Sequence, residues 1–231
     1  MNAIIADPLP YRVETGSLLA ALHVRAGSEQ VETVTRLVAE AQQRARPKAI
    51  YKIAYVDAKG DDFVVAEGHT FTSRVLRVNL DKLHRFFVFV GTAGRELEAW
   101  ADSKQEMLAH FYADAISEAV LHAAMTTFVA QLTERFQLAS TAVMNPGSLT
   151  DWPLREQRTL FALLGDVRSA IGVELTDSLL MVPRKSVSGI LFVAEETFAS
   201  CQLCPRQDCP NRRAPYDAGL FERKYAEAGV G

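Results

Sequence analysis

The sequence predicts an α+β fold with an antiparallel sheet, and three observations point to it. Short β-rich runs come in clusters rather than in strict alternation with helices, which argues against a parallel sheet. A turn signal, "AKGDD", joins the first two runs as a hairpin would require. No linker, repeat or low-complexity segment interrupts the 231 residues, so 1–231 is read as one domain.

Residues 28–46 read as a helix. Ser28 caps it, Val31, Val34, Leu37, Val38 and Ala41 recur at helical spacing, and Pro47 stops it. Four β-rich runs follow: "AIYKIAYV" (49–56), "DFVVAEG" (62–68), "RVLRVNL" (74–80) and "RFFVFVG" (85–91). Residues 103–137 carry the longest helical pattern, and the Pro-Gly loop "MNPGSLTDWP" comes after it. Asp151 is expected to cap a helix over 154–164, with Pro153 in the first turn. "LLMVP" and "SGILFVAEE" read as a second pair of strands, and "GLFERKYAEAG" as a short terminal helix.

Apolar residues at 48% and charged residues at 23% are the balance of an ordinary globular protein. A net charge of −3 leaves no basic footprint, which argues against a nucleic-acid partner. Apolar runs such as "FFVFVG" and "LFALLG" are too short to cross a bilayer, so no membrane association is expected. The opening "MNAIIADPLPYR" has no basic region followed by a long apolar stretch, and the protein is expected to be cytoplasmic. There thiols stay reduced, and clustered cysteines point to metal or redox chemistry rather than to a disulfide staple.

Four stretches could carry chemistry. The long helix contains His110, Asp114, Glu118 and His122, each four residues apart and so on one face. That stripe is either a solvated face or a face aimed at a cleft, where it would hold a cationic ligand or a metal. "VGTAGRELEAW" is a glycine turn between strand and helix, without the pattern of a phosphate cradle. "VPRKSVSGI" offers Arg184, Lys185, Ser186 and Ser188, either as the polar tip of a strand connection or as donors to a phosphate, propionate or acetamide. "CQLCPRQDCPNRRAPYD" holds every cysteine of the chain: Cys201, Cys204 and Cys209. Its spacing leaves a metal site, a redox switch and a compact loop open.

"NPGSLTDWPLREQRTLFALL" (145–164), "IGVELTDSLLMVPRKSVSGILF" (171–192) and the cysteine stretch together resemble the reactivation domain of cobalamin-dependent methionine synthase, in particular its small stand-alone relatives. "FFVFVGTAGRELE" and "LAHFYADAISEAV" resemble that family's glycine turn and long helix, and the resemblance runs from about residue 45 onwards. It implies a single curved domain with a central twisted antiparallel sheet flanked by helices. It also implies a role in repair: when the Co(I) corrinoid is oxidised to inert Co(II), an electron donor and S-adenosylmethionine regenerate methylcobalamin. Such a domain positions cofactors and supplies no nucleophile.

Under this resemblance Asp114 and Glu118 lie near the ammonium and sulfonium of S-adenosylmethionine. Asn145, Pro146, Gly147 and Ser148 form the loop that holds its adenosine and methionine parts. The chain departs from the family at two positions: Val143 stands where an Arg pairs with the ligand carboxylate, and Ser148 where a Tyr stacks. Weak S-adenosylmethionine binding by the isolated chain, or none, is therefore expected. The implied partners are a corrinoid-binding methyltransferase or methionine synthase core, which presents the cobalamin, and an electron donor such as flavodoxin or ferredoxin. Cys201, Cys204 and Cys209 are expected to converge on a metal centre. An iron–sulfur cluster stands ahead of zinc there, because a closed zinc site wants four ligands and no fourth thiolate exists. The alternative function is an iron–sulfur or other metal-dependent electron-transfer protein that reduces a corrinoid without S-adenosylmethionine. A third reading is an interaction module that kept the fold alone.

Overall fold

The computed structural model describes residues 2–194, 198–209 and 212–226. The first elements are β1 (Ile4–Ala6), α1 (Thr15–Ala21), α2 (Glu29–Arg44), β2 (Lys48–Lys59), β3 (Phe63–Ala66), β4 (His69–Thr72) and α3 (Arg74–Asn79). Then come β5 (Arg85–Thr92), α4 (Arg95–Asp102), α5 (Met107–Arg135) and β6 (Thr141–Met144). A 3-10 turn (Leu154–Glu156) leads into α6 (Gln157–Leu164) and α7 (Val167–Ile171). After β7 (Glu174–Leu175), β8 (Met181–Val182) and β9 (Ser186–Val193), a second 3-10 turn (Ser200–Leu203) and a π-type turn (Phe221–Ala226) complete the described chain.

The main sheet is antiparallel throughout, in the order β4-β3-β2-β5-β9-β6. β2 pairs with β5 along one edge, and along the other with β1 and then, past a bulge at Val56/Ala58, with β3. The fold is α+β with an open sheet, as the clustered strands predict. β5 reads "RFFVFVGT" because it is covered on both faces, so apolar residues need not alternate with polar ones. Phe86, Val88 and Val90 join Ile190, Phe192 and Met144 in a core shared with Trp152 and with Leu160 of α6. Phe87 and Phe89 turn the other way and pack with Leu191 under α5.

α5 serves two cores, which accounts for its 29 residues. Its second half lays Ala124, Phe128 and Leu132 on the sheet, where Phe128 meets the rings of Tyr51 and Phe89 at 5.7 and 5.5 Å. Its first half buries Tyr112, Ala113, Ile116 and Val120 against Val34, Leu37 and Val38 of α2 and Leu97 and Trp100 of α4. A fully buried Val, Leu or Ile among these contributes about 1.5–3 kcal/mol. By length and composition alone α5 could cross a membrane. That is weak evidence, since the core helix of a globular protein passes the same test and α5 packs on both of these cores.

Three local expectations change. "RVLRVNL", expected as a strand, is the helix α3, because its N-terminal donors find acceptors: Ser73 Oγ accepts from Leu76 N at 3.0 Å. Asp151, expected to cap the helix over 154–164, caps α3 instead, accepting from Ser73 Oγ, from Arg74 N at 3.2 Å and from Val75 N at 2.9 Å. "LLMVP" and "SGILFVAEE" do not pair with each other: β8 joins β7 in a separate ribbon, while β9 lies between β5 and β6. Of the last segment, Glu195–Thr197 and everything beyond Ala226 lie outside the described residues.

Candidate functional site

The entry to β9 gathers the charges that the sequence singles out. Arg184 and Lys185 are consecutive, yet they serve different helices. Arg184 pairs with Glu98 Oε1 at 3.3 Å and with Asp102, both on α4. Lys185 Nζ pairs with Asp114 Oδ2 at 3.0 Å and Glu118 Oε2 at 3.2 Å, both on α5. Asp114 and Glu118 lie one turn apart, so the same ammonium reaches both. The two carboxylates are half-exposed, whereas Lys185 is largely covered.

The outer members of the stripe behave differently. His110 turns its Nδ1 to the Ala101 carbonyl at 3.1 Å, back toward α4. His122 is exposed, and its carbonyl accepts from Thr126 Oγ1. The acidic pair is thus the part of the stripe that Lys185 engages. N-terminal to it, the same exposed face of α5 carries Met107, Leu108 and Phe111, which are 89%, 52% and 55% exposed. Met107, Phe111, Asp114 and Glu118 follow helical spacing, so apolar and acidic patches adjoin on one face.

The loop at 145–148 leaves β6 beside β9 and is held from within. Asn145 Nδ2 donates to Ser188 O at 2.8 Å, and Ser188 Oγ accepts from Gln157 Nε2 at 3.2 Å. Gly147 N donates to Trp152 O at 2.7 Å, and Ser148 N and Oγ both donate to Asn145 O. Pro146 is buried. Gly147 has φ +84°, and a Cβ there would come within 2.9 Å of Leu154 Cδ1. Among the described residues, no hydrogen bond or ion pair links Asp114 or Glu118 to residues 145–148. Val143 packs against the aromatic core under α5 and supplies no charge. The acidic pair fits the cationic end of a ligand such as S-adenosylmethionine. The internally bonded loop and Val143 do not fit its carboxylate end.

Sequence reasoning missed Gln157 and Glu156, both buried. Gln157 pins Ser188, and Glu156 Oε2 accepts from Thr72 N at 2.9 Å. Their signal was a pair of long polar side chains at the start of an apolar helix. Two open clefts lie elsewhere. One, of about 530 Å³, is lined by Arg44, Arg46, Glu96, Trp100 and Lys104; the other, of about 270 Å³, lies between the end of β9 and the segment after α3. Neither contains a residue of the expected site.

In the cysteine segment, Cys204 N donates to Cys201 O at 3.3 Å, closing a 3-10 turn. Arg213 N donates to Cys201 Sγ at 3.4 Å. The Arg212 guanidinium donates to the carbonyls of Cys201 and Ala214 at 3.0 Å and of Cys204 at 3.1 Å, and also to that of Arg206. Burial raises the Cys201 thiol. The N–H groups of Arg213 and Ala214 and the charges of Arg213 and Arg212 outweigh that effect and hold it below its ordinary value. Cys209 lies in a separate turn, with its N–H on Gln207 O at 3.2 Å. Asp217, the carboxylate at the end of the cysteine stretch, pairs with Arg223 at 2.6 Å. Among the described residues, no three His, Cys, Asp or Glu side chains are gathered to hold a metal ion, so Cys201, Cys204 and Cys209 do not meet at one point there.

An open antiparallel sheet, a bridging helix with an acidic pair and a Pro-Gly loop braced on β9 define the chain as an open-sheet α+β domain. Residues 80–201 match the activation domain of vitamin B12-dependent methionine synthase, and the chain belongs to that family. The fold is similar to a crystal structure described as the MetH reactivation domain bound to AdoHcy, with a TM-score of 0.60 at 14% identity over 87% of this chain and 81% of that one. No curated protein matches.

Proposed function

We propose that this chain is a stand-alone accessory protein, acting as one domain, that caps and reactivates the corrinoid of a separate methionine synthase core or related methyltransferase. The observation that carries the reading is the exposed face of α5, where Met107, Leu108 and Phe111 adjoin Asp114 and Glu118. A corrin ring presents apolar edges and polar amide arms together, and a surface that sets an apolar patch beside a charged one complements it. Membership of the activation-domain family supports the same role.

In this reading S-adenosylmethionine is the methyl donor, and an outside protein such as flavodoxin or ferredoxin supplies the electron. Asp114 and Glu118 favour the donor's cationic end, but only where Lys185 gives way. Val143 and Ser148 contribute neither a clamp for its carboxylate nor a stacking ring. The isolated chain therefore binds S-adenosylmethionine weakly, and the corrinoid partner completes the site. The protein supplies geometry, while the cofactors supply the chemistry.

The test mixes the chain with a methionine synthase core holding cob(II)alamin, a reductant and S-adenosylmethionine, and follows the return of methylcobalamin by absorbance. The expected result is a faster return with the chain than without it, dependent on S-adenosylmethionine. Reduction that proceeds equally well without S-adenosylmethionine would favour the electron-transfer alternative. No complex and no rate effect would end the proposal.

A further inference from the structure

The cysteine segment contributes no residue to the capping surface proposed above. Two of its three thiols are nevertheless brought together by the backbone. The Cys204 N to Cys201 O bond makes a turn of the i to i+3 kind, which keeps the two Cα atoms within about 7 Å. A disulfide spans Cα separations of about 4.4–6.8 Å. In a 3-10 turn, side chains three residues apart lie on the same edge. Cys201 and Cys204 are both partly exposed, so an outside reactant has access. Arg212 bonds the carbonyls of both residues and holds the turn in this shape. A metal wants three or four ligands, and no group of three is gathered among the described residues. A disulfide needs two.

We propose that Cys201 and Cys204 form a redox-active dithiol whose co-substrate is a disulfide, either a small molecule or one borne by a protein. Cys201 is the attacking thiol. Its sulfur accepts the Arg213 N–H, and the Arg212 and Arg213 side chains favour its thiolate. Cys204, packed against the core that contains Trp152, is the resolving thiol. The Cys201 thiolate attacks one sulfur of the co-substrate. The S–S bond breaks, one half leaves as a thiolate and takes up a proton, and a mixed disulfide forms on Cys201. Cys204 then loses its proton and attacks the Cys201 sulfur, which releases the second half. Cys201 and Cys204 together lose two electrons, and the co-substrate gains them as two thiols. The reaction needs no corrinoid, so it stands or falls independently of the proposed function.

The test incubates the anaerobically purified chain with oxidised glutathione and analyses it by intact mass and peptide mapping. The expected product has lost two hydrogen atoms, carries a Cys201–Cys204 cross-link and retains no glutathione. Cys209→Ser gives the same product. Cys204→Ser instead accumulates glutathione on Cys201, and Cys201→Ser reacts about tenfold more slowly or not at all. A stable glutathione adduct on the unaltered chain, a cross-link through Cys209, or an unchanged mass would each overturn the proposal. So would stoichiometric iron or zinc in the purified chain. The cross-link map of the unaltered chain decides the matter even if a variant fails to fold.

Discussion

Lys185 Nζ lies 3.0 Å from Asp114 Oδ2 and 3.2 Å from Glu118 Oε2, so one ammonium answers both carboxylates of the acidic pair. Any cation that binds there must compete with it. Half-exposed ion pairs contribute about 0–1 kcal/mol each. Lys185→Met keeps most of the stem and removes the competitor. Calorimetry should show S-adenosylmethionine affinity rising by up to about fivefold, the equivalent of 1 kcal/mol. Weaker binding would show that Lys185 is part of the ligand's site rather than its rival, and unchanged binding that it does not compete.

Gly189 lets β9, Phe89 and the loop after β6 come together. A Cβ at that position would stand 2.7 Å from Asn145 Nδ2, 2.7 Å from Met144 O and 2.9 Å from Phe89 Cζ. Gly189→Ala should lower stability by about 1–3 kcal/mol, as overpacking of a core does. Urea unfolding measures this, and a variant as stable as the parent would contradict the close approach.

Asp151 satisfies donors of α3 from 76 to 78 residues away in sequence. Asp151→Ala leaves those donors without their acceptor and should cost about 1–3 kcal/mol. Asp151→Asn keeps one acceptor oxygen and should recover part of the loss. Equal stability of all three proteins in denaturant would rule out the capping role.

Glu40 joins α2 to α4. The Lys104 ammonium, bonded at 2.7 Å, and then the Trp100 N–H, at 3.0 Å, hold its carboxyl at about 2, against an ordinary 4.5. A carboxyl lowered by folding stabilises the fold fully above about 4.5, and that contribution disappears as pH falls toward about 2. The Glu40 carboxyl should therefore titrate near 2 by NMR, and Glu40→Gln should flatten stability against pH in that window. A midpoint near 4.5 would refute the contact.

Met107 and Phe111 are exposed, and changing them should cost the fold little. Met107→Ser with Phe111→Ser should leave unfolding within about 0.5 kcal/mol per site. Binding to a cobalamin-loaded methionine synthase core should weaken by about tenfold or more, as loss of interface anchors does. Undiminished binding would move the partner surface elsewhere.

Much of this was legible in the chain. The clustered β-rich runs and the "AKGDD" turn carry the α+β class, because strand alternation and turn chemistry are local. The 103–137 pattern carries α5 to within a turn at its N-terminal end and two residues at the other. What escaped was non-local. "RVLRVNL" has strand-like composition, and besides the local Ser73 cap its helix start relies on an acceptor 76 residues away. The spacing of Asp114 and Glu118 was visible, but their pairing with Lys185 depends on where β9 enters the sheet. Cysteine spacing placed Cys201 beside Cys204, yet it could not say that Cys209 turns within a separate part of the loop.

The bracing of α3 has a consequence for the order of folding. A helix of six residues is too short to persist alone, since isolated helices of fewer than about 12–15 residues are marginal in water. Its first donors go to Asp151, and Arg74 Nε reaches Tyr225 O at 2.8 Å across 151 positions of sequence. α3 is therefore completed by residues that lie 76 and 151 positions further along the chain. On the ribosome, "RVLRVNL" emerges long before either partner, with an extended preference and several apolar side chains. Until Asp151 and Tyr225 are in place, this segment lacks the distant acceptors that hold its helical form in the fold.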